Sequence, residues 1–556
     1  MLHKVRIALV RPSVDVLHKF SKPVECLALG YLAASVRLDG HEVFMLDGML
    51  YDWSAEETVD RILDTRPDIV GFTVILAHFP DHLLEVLRRL RVFGYRGVIL
   101  VGGHSVSFFA DRVLRQVPEV DAVICGEGEI GIRQVAAAMA AQQDWTAAAG
   151  VCVRDGTGVR RTPPVRNYAL DEVPWPARDL TAEVIRLDGL ACVSTSRGCY
   201  ARCSFCSIPR FYGLDQNRPG AAGGWIGRRV DDVVAEIDAL HKAFSLRELL
   251  IVDDEFFGGT EAGFERARLF ARRMEELHLP LKFALSCRAE NVREPILLEL
   301  MRGGLAHVFI GIESGSQKSL RLYGKGHDVE QNRRAVEGVK RLGLSFQPGF
   351  MLFNTRKTIF DVREDLQFLK EINECKPVTI NSGVDAHFGA PLTGALERDG
   401  VLRDEGLRLT VEYPDAKVRA AKKIAELCAE KFQGYMNLIA TLRSSITWEW
   451  RRKVPGRRDE QERLLDAFEK AVNQGFADIV VQAVDELIES DEAETVISVA
   501  QQRIASLMDM LEVSAALVKS HIATIEGGIR YWTQQSLIER GRTLSTDRSG
   551  SDRLFS

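Results

Sequence analysis

Ser194-Thr-Ser-Arg-Gly-Cys199-Tyr-Ala-Arg-Cys203-Ser-Phe205-Cys206 decides how this 556-residue chain is read. Three of its ten cysteines fall within eight residues at CxxxCxxC spacing, just after an apolar run at 190–194. The other seven (Cys26, Cys125, Cys152, Cys192, Cys287, Cys375 and Cys428) are scattered, as small buried apolar side chains are, and make no disulfide framework. Three thiolates on one short loop can hold three irons of a [4Fe–4S] cube. The fourth iron then lacks a protein ligand, whereas electron-transfer clusters usually take four cysteines. Such a vacancy lets a substrate coordinate iron. The alternatives are three incidental core cysteines or a structural zinc site, and a closed zinc site needs a fourth His or Cys that is not adjacent.

Around this loop, residues 190–400 alternate strand and helix patterns. Strands are expected at Leu190–Ser194, Glu248–Val252, Lys282–Ser286, His307–Ile312, Ser345–Leu352 and Val378–Ser382. About six β–α units suit a partial (β/α)6 barrel, with its chemistry at the strand ends that feed the βα loops. Residues 1–140 alternate as well, with strands at Val5–Val10, Val43–Leu46, Ile69–Val74, Val98–Val101 and Ala122–Ile124. They read as an α/β, Rossmann-like parallel sheet, whose ligands lie beyond the carboxyl ends of the strands. Residues 141–189 are a connector with a hairpin candidate around Gly156 and Gly158, broken by Pro163, Pro164, Pro174 and Pro176. Residues 401–556 are expected to be an all-α region, with apolar residues at i, i+3 and i+4 from about Asp415. Within it, Trp448-Glu-Trp450-Arg-Arg-Lys453 reads as an amphipathic helix end, and the same bland reading covers Tyr531 and Trp532.

Composition narrows the function classes. Hydrophobic residues make up 46% and charged residues 27%, ordinary globular usage. Net charge is −6, from 72 basic and 78 acidic residues, so no broad basic field points to nucleic acid. No run of eighteen apolar residues predicts a membrane span. The opening MLHKVRIALVRPS reads as a strand rather than a signal peptide, which makes the cytoplasm the expected compartment.

The cluster motif, with Phe205 before its last cysteine, resembles the radical SAM superfamily. Further pieces follow in that superfamily's order: Asp253 and Asp254 in IVDDEFF, Ser286 and Arg288 in LSCRAE, Glu313 in FIGIESGS, and Gln347 in QPGFML. The resemblance implies that Cys199, Cys203 and Cys206 hold the cluster, and that the amino and carboxylate groups of S-adenosylmethionine (SAM) chelate the open iron. It implies a SAM site at Phe205, Asp253, Asp254, Ser286, Arg288, Glu313 and Gln347. There Arg288 pairs with the methionine carboxylate, Glu313 accepts from ribose hydroxyls, and one aspartate meets the ammonium group.

In the N-terminal sheet, Leu27–Ala33, Val101-Gly102-Gly103-His104-Ser105 and Cys125-Gly126-Glu127-Gly128-Glu129 resemble the cobalamin-binding domain of class B, B12-dependent radical SAM enzymes. Glycines there let backbone come close to a ligand. The implied cobalamin contacts are Thr73, Val74, Ile75, Leu76, Gly102, Gly103, His104, Gly126, Glu127 and Gly128, with the apolar run at 73–76 under the cobalt. One departure stands out: the DxHxxG motif is absent, and Asp47-Gly48-Met49 lacks its histidine. His78 lies close by but reads as a surface or helix-start residue.

The resemblance implies an enzyme, namely a cobalamin-dependent radical SAM methyltransferase acting on an unactivated carbon or phosphinate centre. Natural-product (antibiotic) biosynthesis is the expected setting. SAM would serve as methyl source through methylcobalamin and as source of the 5′-deoxyadenosyl radical. The alternative is a non-methylating oxidative cyclase or ring-rearranging enzyme on the same scaffold. Implied partners are a small-molecule substrate, free or carrier-bound, and an external electron donor such as flavodoxin or ferredoxin, with neither nucleic acid nor membrane. A non-catalytic cobalamin carrier would not need the cysteine loop.

Overall fold

The computed structural model describes residues 4–13, 22–74, 76–213, 224–451 and 458–523. The apolar run that begins at Val5 carries the first strand, β1 (Arg6–Arg11), which is buried along nearly all its length. Parallel strands covered on both faces carry such continuous apolar runs. β1 pairs in parallel with β2 (Glu42–Asp47) and β3 (Ile69–Thr73), and β3 continues to β4 (Val98–Gly102) and β5 (Ala122–Ile124). Side chains alternate between two cores: Ala8, Val10, Val70, Phe72, Ile99, Val101 and Val123 on one face, Ile7, Leu9, Ile69, Leu100, Ala122 and Ile124 on the other. A hairpin, β6 (Val151–Asp155) and β7 (Gly158–Arg161), then adds two antiparallel strands beside β5. The sheet order is β2-β1-β3-β4-β5-β6-β7, so the chain reverses direction of growth between β1 and β3. The carboxyl ends there are where such sheets take ligands.

A second sheet starts with β8 (Ala191–Val193). The two-residue pair β9 (Ser196–Arg197) and β10 (Ile226–Gly227) follows at the cluster loop. β11 (Glu248–Ile251), β12 (Lys282–Arg288), β13 (Leu305–Glu313) and β14 (Ser345–Phe350) complete a five-stranded sheet in the order β14-β13-β12-β11-β8. Its described pairings are parallel.

The expected sixth strand at Val378–Ser382 is a correction. Residues Pro377–Ile380 form a short helix, and the strand-like pairing described beside it is one parallel bridge, Phe353↔Gly383. Pro377 explains the difference: it has no N–H for a ladder, and its fixed φ suits the first turn of a helix. The sheet is consistent with a partial barrel, but a closed six-stranded one is not formed among the described residues. Another hairpin, β15 (Leu402–Asp404) and β16 (Leu409–Val411), precedes the helical region.

Contacts divide the chain into two units. Both large sheets belong to the first. The second contains residues 313–316 and 350–384 and the helices Ala416–Arg451, Arg458–Glu489 and Ala493–Ala523. These helices pack around Phe432, Tyr435, Phe468 and Phe476, whose rings meet edge-on or tilted. The side chains of Trp448, Trp450 and Lys453, and the segment with Tyr531 and Trp532, lie outside the described residues. Among the described residues no helix is long and apolar enough to cross a membrane.

Candidate active site at the strand ends

The cysteine loop is fixed by two carboxylates, the buried Asp253 and the exposed Asp254, before any metal is considered. Asp253 accepts from the backbone N–H of Thr195 (2.6 Å) and Ser196 (3.0 Å) and from both their hydroxyls (2.5 and 2.7 Å). Asp254 accepts from the Gly198 N–H at 3.0 Å. Gly198 has φ +86, and a Cβ there would lie 2.7 Å from the Gly224 carbonyl oxygen, so the turn into Cys199 requires glycine. On the far side, Ser204 donates from N to Tyr323 O and from Oγ to Leu322 O, both at 2.8 Å, and its own carbonyl accepts from Leu392 N at 2.7 Å. Phe205 sets its ring against the edge of Tyr323 (5.7 Å between centroids).

Cys203 is buried, while Cys199 and Cys206 are partly exposed. Burial pushes the Cys199 thiol up to about 11 and the Cys206 thiol up to about 12. Both would be protonated at neutral pH until a metal displaced the proton. Among the described residues no three His, Cys, Asp or Glu side chains gather on one ion position. That disfavours a mononuclear site. It does not count against a cube, in which each cysteine takes a different iron. The donor set, three sulfurs on a braced loop with two of them partly exposed, fits an iron–sulfur cube.

The five-stranded sheet leaves one face partly uncovered. Val252 and Phe309 are 40% and 39% exposed, Ser286 is half-buried and Gln347 exposed, while Leu285, Cys287, Val308 and Ile310 between them are buried. Parallel sheets are normally covered on both faces. An accessible apolar platform with polar groups at its edge is what a ligand such as SAM needs. The two predicted aspartates separate here. Asp253 is spent on the loop, whereas Asp254 takes the Gly198 N–H and keeps an exposed carboxyl. Arg288 has three protein partners. It donates from Nη1 to Cys203 Sγ at 3.0 Å, from Nε to Glu290, and from Nη2 to the Lys325 carbonyl. Glu313 ends β13 in the left-handed region (φ +65), a strained position for a non-glycine residue, and its carbonyl accepts from Met351 N at 2.9 Å.

At the sheet domain, Val74 N donates to the Gly102 carbonyl at 2.8 Å. Gly103 has φ +122, and a Cβ there would lie 2.4 Å from the Val74 carbonyl oxygen. Thr73 and Val74 are buried, Leu76 and Gly102 half-buried, and Ile75 lies outside the described residues. Ser107 Oγ ties the two glycine loops together, donating to Gly103 O (2.8 Å) and accepting from Gly126 N (3.0 Å). Gly128 opens the helix Gly128–Ala140. These glycine-rich loops carry few side chains beyond the carboxyl ends of the strands, where such sheets take ligands, and that composition fits cobalamin.

Two of the predicted cobalamin residues have protein partners. His104 Nε2 lies 3.1 Å from Ser207 Oγ, beside the rings of Phe108 and Phe211, and burial lowers its pKa to about 4. Glu127 pairs with Arg197 of the cysteine loop and accepts from Asn167 N at 2.7 Å. Arg197 also reaches Glu129 at 2.7 Å and covers the Tyr31 ring at 4.9 Å. The glycine loop and the cysteine loop are therefore bolted to each other. No local pattern announced this pairing, because Arg197 lies 70 positions from Glu127. Asp47, in the place of the missing DxHxxG motif, is buried against Arg11 (2.7 and 2.5 Å) and caps Leu50 N. His78 Nε2 lies 3.0 Å from Arg408 Nη2.

Comparison with known proteins agrees with this layout. Residues 14–136 match the B12 binding domain family and residues 193–369 the radical SAM superfamily. The two domains together define an enzyme with a radical SAM catalytic domain and a cobalamin-binding sheet. The chain carries the pair of domains that matches the class B, cobalamin-dependent radical SAM enzymes. It is 29% identical over 353 residues to "Uncharacterized methyltransferase PH0819" of Pyrococcus horikoshii, an alignment covering 62% of this chain and 73% of that one. It is 27% identical over 388 residues to 4′-phospho-dehydrooxetanocin synthase of Priestia megaterium, covering 66% of this chain and 51% of that one. Thus the chain spans about half the length of the latter relative. The fold is similar to that of the cobalamin-dependent S-adenosylmethionine radical enzyme OxsB, solved with aqua-cobalamin and SAM bound. The TM-score is 0.73 at 19% identity, covering 99% of this chain and 85% of that one. The B12 binding domain and radical SAM matches support binding of cobalamin and SAM.

Proposed function

We propose that this enzyme oxidises, cyclises or rearranges a small-molecule substrate without adding a methyl group. The observation that carries this reading is the 27% identity over 388 residues to 4′-phospho-dehydrooxetanocin synthase, whose name describes a dehydro product rather than a methylated one. The fold shared with OxsB over 99% of the chain is compatible with it. Methyl transfer is the second reading, favoured by the relative named as a methyltransferase, whose alignment covers 62% of this chain.

In this reading Cys199, Cys203 and Cys206 hold a [4Fe–4S] cluster. Asp254, Ser286, Gln347 and Phe205 form the SAM site, with Asp253 bracing the loop beneath it. Thr73, Val74, Leu76, Gly102, Gly103, Gly126 and Gly128 form the cobalamin cradle, with His104 and Glu127 fixing its rim. When bound, the cluster and SAM supply a 5′-deoxyadenosyl radical, and cobalamin supplies one-electron or methyl chemistry. The chain's own residues bind and orient. Asp254 is placed to accept from the ammonium group of SAM, and Val252 and Phe309 present an apolar platform that sheds water around a reactive centre. The neutral His104 and the ion-paired Glu127 hold the two loops in register. An external one-electron donor of the flavodoxin or ferredoxin type is required.

The test is anaerobic reconstitution with iron, sulfide and hydroxocobalamin, then turnover with SAM, reductant and candidate substrates. Formation of 5′-deoxyadenosine with a product that has lost hydrogen or changed its ring supports the proposal. Formation of S-adenosylhomocysteine with a product heavier by one CH2 unit replaces it with methyl transfer.

A further inference from the structure

Arg288 stands at the end of β12 with three of its N–H groups committed to the protein. Glu290 takes Nε, Lys325 O takes Nη2, and Cys203 Sγ takes Nη1 at 3.0 Å. A guanidinium has five N–H groups in one rigid plane, so these three acceptors fix its position before any ligand arrives. Both Arg288 and Cys203 are buried. Glu290 is itself held by His327 Nδ1 at 2.8 Å and accepts from the Tyr200 hydroxyl at 3.2 Å. The Tyr200 ring lies 5.7 Å from the guanidinium carbon. The whole arrangement aims one charged donor at one sulfur of the cysteine loop.

Hydrogen bonds to ligating sulfurs and nearby positive charge stabilise the reduced, more negative form of an iron–sulfur cluster and raise its potential. The geometry points to Arg288 as a tuning residue of the cluster, acting through Cys203, with Glu290 as its counterweight. Arg288 makes the cluster easier to reduce by donating to the Cys203 sulfur. Glu290 orients Arg288 and offsets part of its charge, so the two residues push the potential in opposite directions. This inference rests on the reading that the three cysteines hold a [4Fe–4S] cluster.

The experiment is an anaerobic redox titration of the reconstituted full-length enzyme, followed by electron paramagnetic resonance of the reduced cluster. SAM binding is measured on the same samples. Arg288→Gln is expected to lower the midpoint potential while four irons are retained and SAM affinity stays near wild type. Glu290→Gln keeps an acceptor for Arg288 but removes the negative charge, and it is expected to raise the midpoint. Arg288→Lys, which keeps charge without the fork, is expected to fall between Arg288→Gln and wild type. An unchanged midpoint in Arg288→Gln, with SAM affinity reduced, overturns the proposal and returns Arg288 to the SAM carboxylate. Shifts of the same sign in Arg288→Gln and Glu290→Gln also overturn it, since they mark general damage. Failure of the wild type itself to hold four irons identifies the cluster reading, rather than the role of Arg288, as the error.

Discussion

The two halves of the site are built by opposite means. After β4 and β5 the loops are nearly bare, with Gly102, Gly103 and Gly126, and Thr73 and Val74 beside them are buried. Gly103 is so close to the Val74 carbonyl that no side chain fits. At the cysteine loop the frame is electrostatic: Asp253, Asp254, Arg288 and Glu290 each grip backbone, hydroxyl or sulfur. A large cofactor needs space that the backbone can define by absence. A small cluster with a vacant coordination site needs sulfurs held at fixed positions, and buried charge–dipole bonds hold them. The difference implies that the two halves fail differently, and substitutions can test whether they do.

The largest effect is expected from Cys203→Ala. It removes a cluster ligand and the acceptor of Arg288, so 5′-deoxyadenosine formation should fall to background. The sheet domain does not depend on that sulfur, so cobalamin uptake should persist. Iron and cobalt analysis of the same sample checks both. Loss of both metals together would break the division into separately built halves.

Next comes the bolt between the halves. In Arg197→Met the carboxylates of Glu127 and Glu129 lose a buried partner. Breaking a buried pair from one side typically costs about 3–5 kcal/mol. A lowered melting temperature is expected, with part of it restored in Arg197→Met/Glu127→Gln/Glu129→Gln. If the triple variant is no more stable than the single one, the loss comes from packing against Tyr31 rather than from stranded charge.

A steric failure should be smaller and more local. Gly103→Ala puts a Cβ at φ +122 against the Val74 carbonyl oxygen. Strained backbone of this kind costs on the order of 1–3 kcal/mol. Cobalamin uptake should drop while iron content stays at the wild-type level. That outcome would mirror Cys203→Ala and sharpen the contrast.

Legibility in the sequence follows the same division. Local patterns were readable: the continuous apolar run of β1, the three-cysteine loop, and the glycine pairs after β4 and β5. Contacts between distant residues were not. Arg197 looks like any loop arginine until Glu127 and Glu129 are brought to it, and nothing in the sequence announces that Arg288 lies against Cys203. Asp253 and Asp254 are adjacent in sequence, yet backbone geometry gives one four bonds and the other a single N–H. The strand expected at Val378–Ser382 rested on apolar content, and Pro377 outweighed it. β15 and β16 escaped notice because strands of three residues are too short to show a pattern.

The smallest effect is a titration at the seam. His104 packs between Phe108 and Phe211 beside Ser207, and burial holds its pKa at about 4, below the ordinary histidine value of 6.5. Between those values the native imidazole stays neutral while the unfolded one binds a proton. The unfolded state then carries the extra proton, so stability falls as pH drops from about 6.5 towards 4 and is fully present above that window. One such group contributes about 1 kcal/mol over a single pH unit inside the window. His104→Gln removes the titration but keeps a polar group near Ser207. The melting temperature of the cofactor-free protein should therefore fall less steeply between pH 6 and pH 5 in the variant than in wild type. Parallel slopes would mean that His104 already carries its proton in the native state, and that the seam, like the cysteine loop, is held by charge.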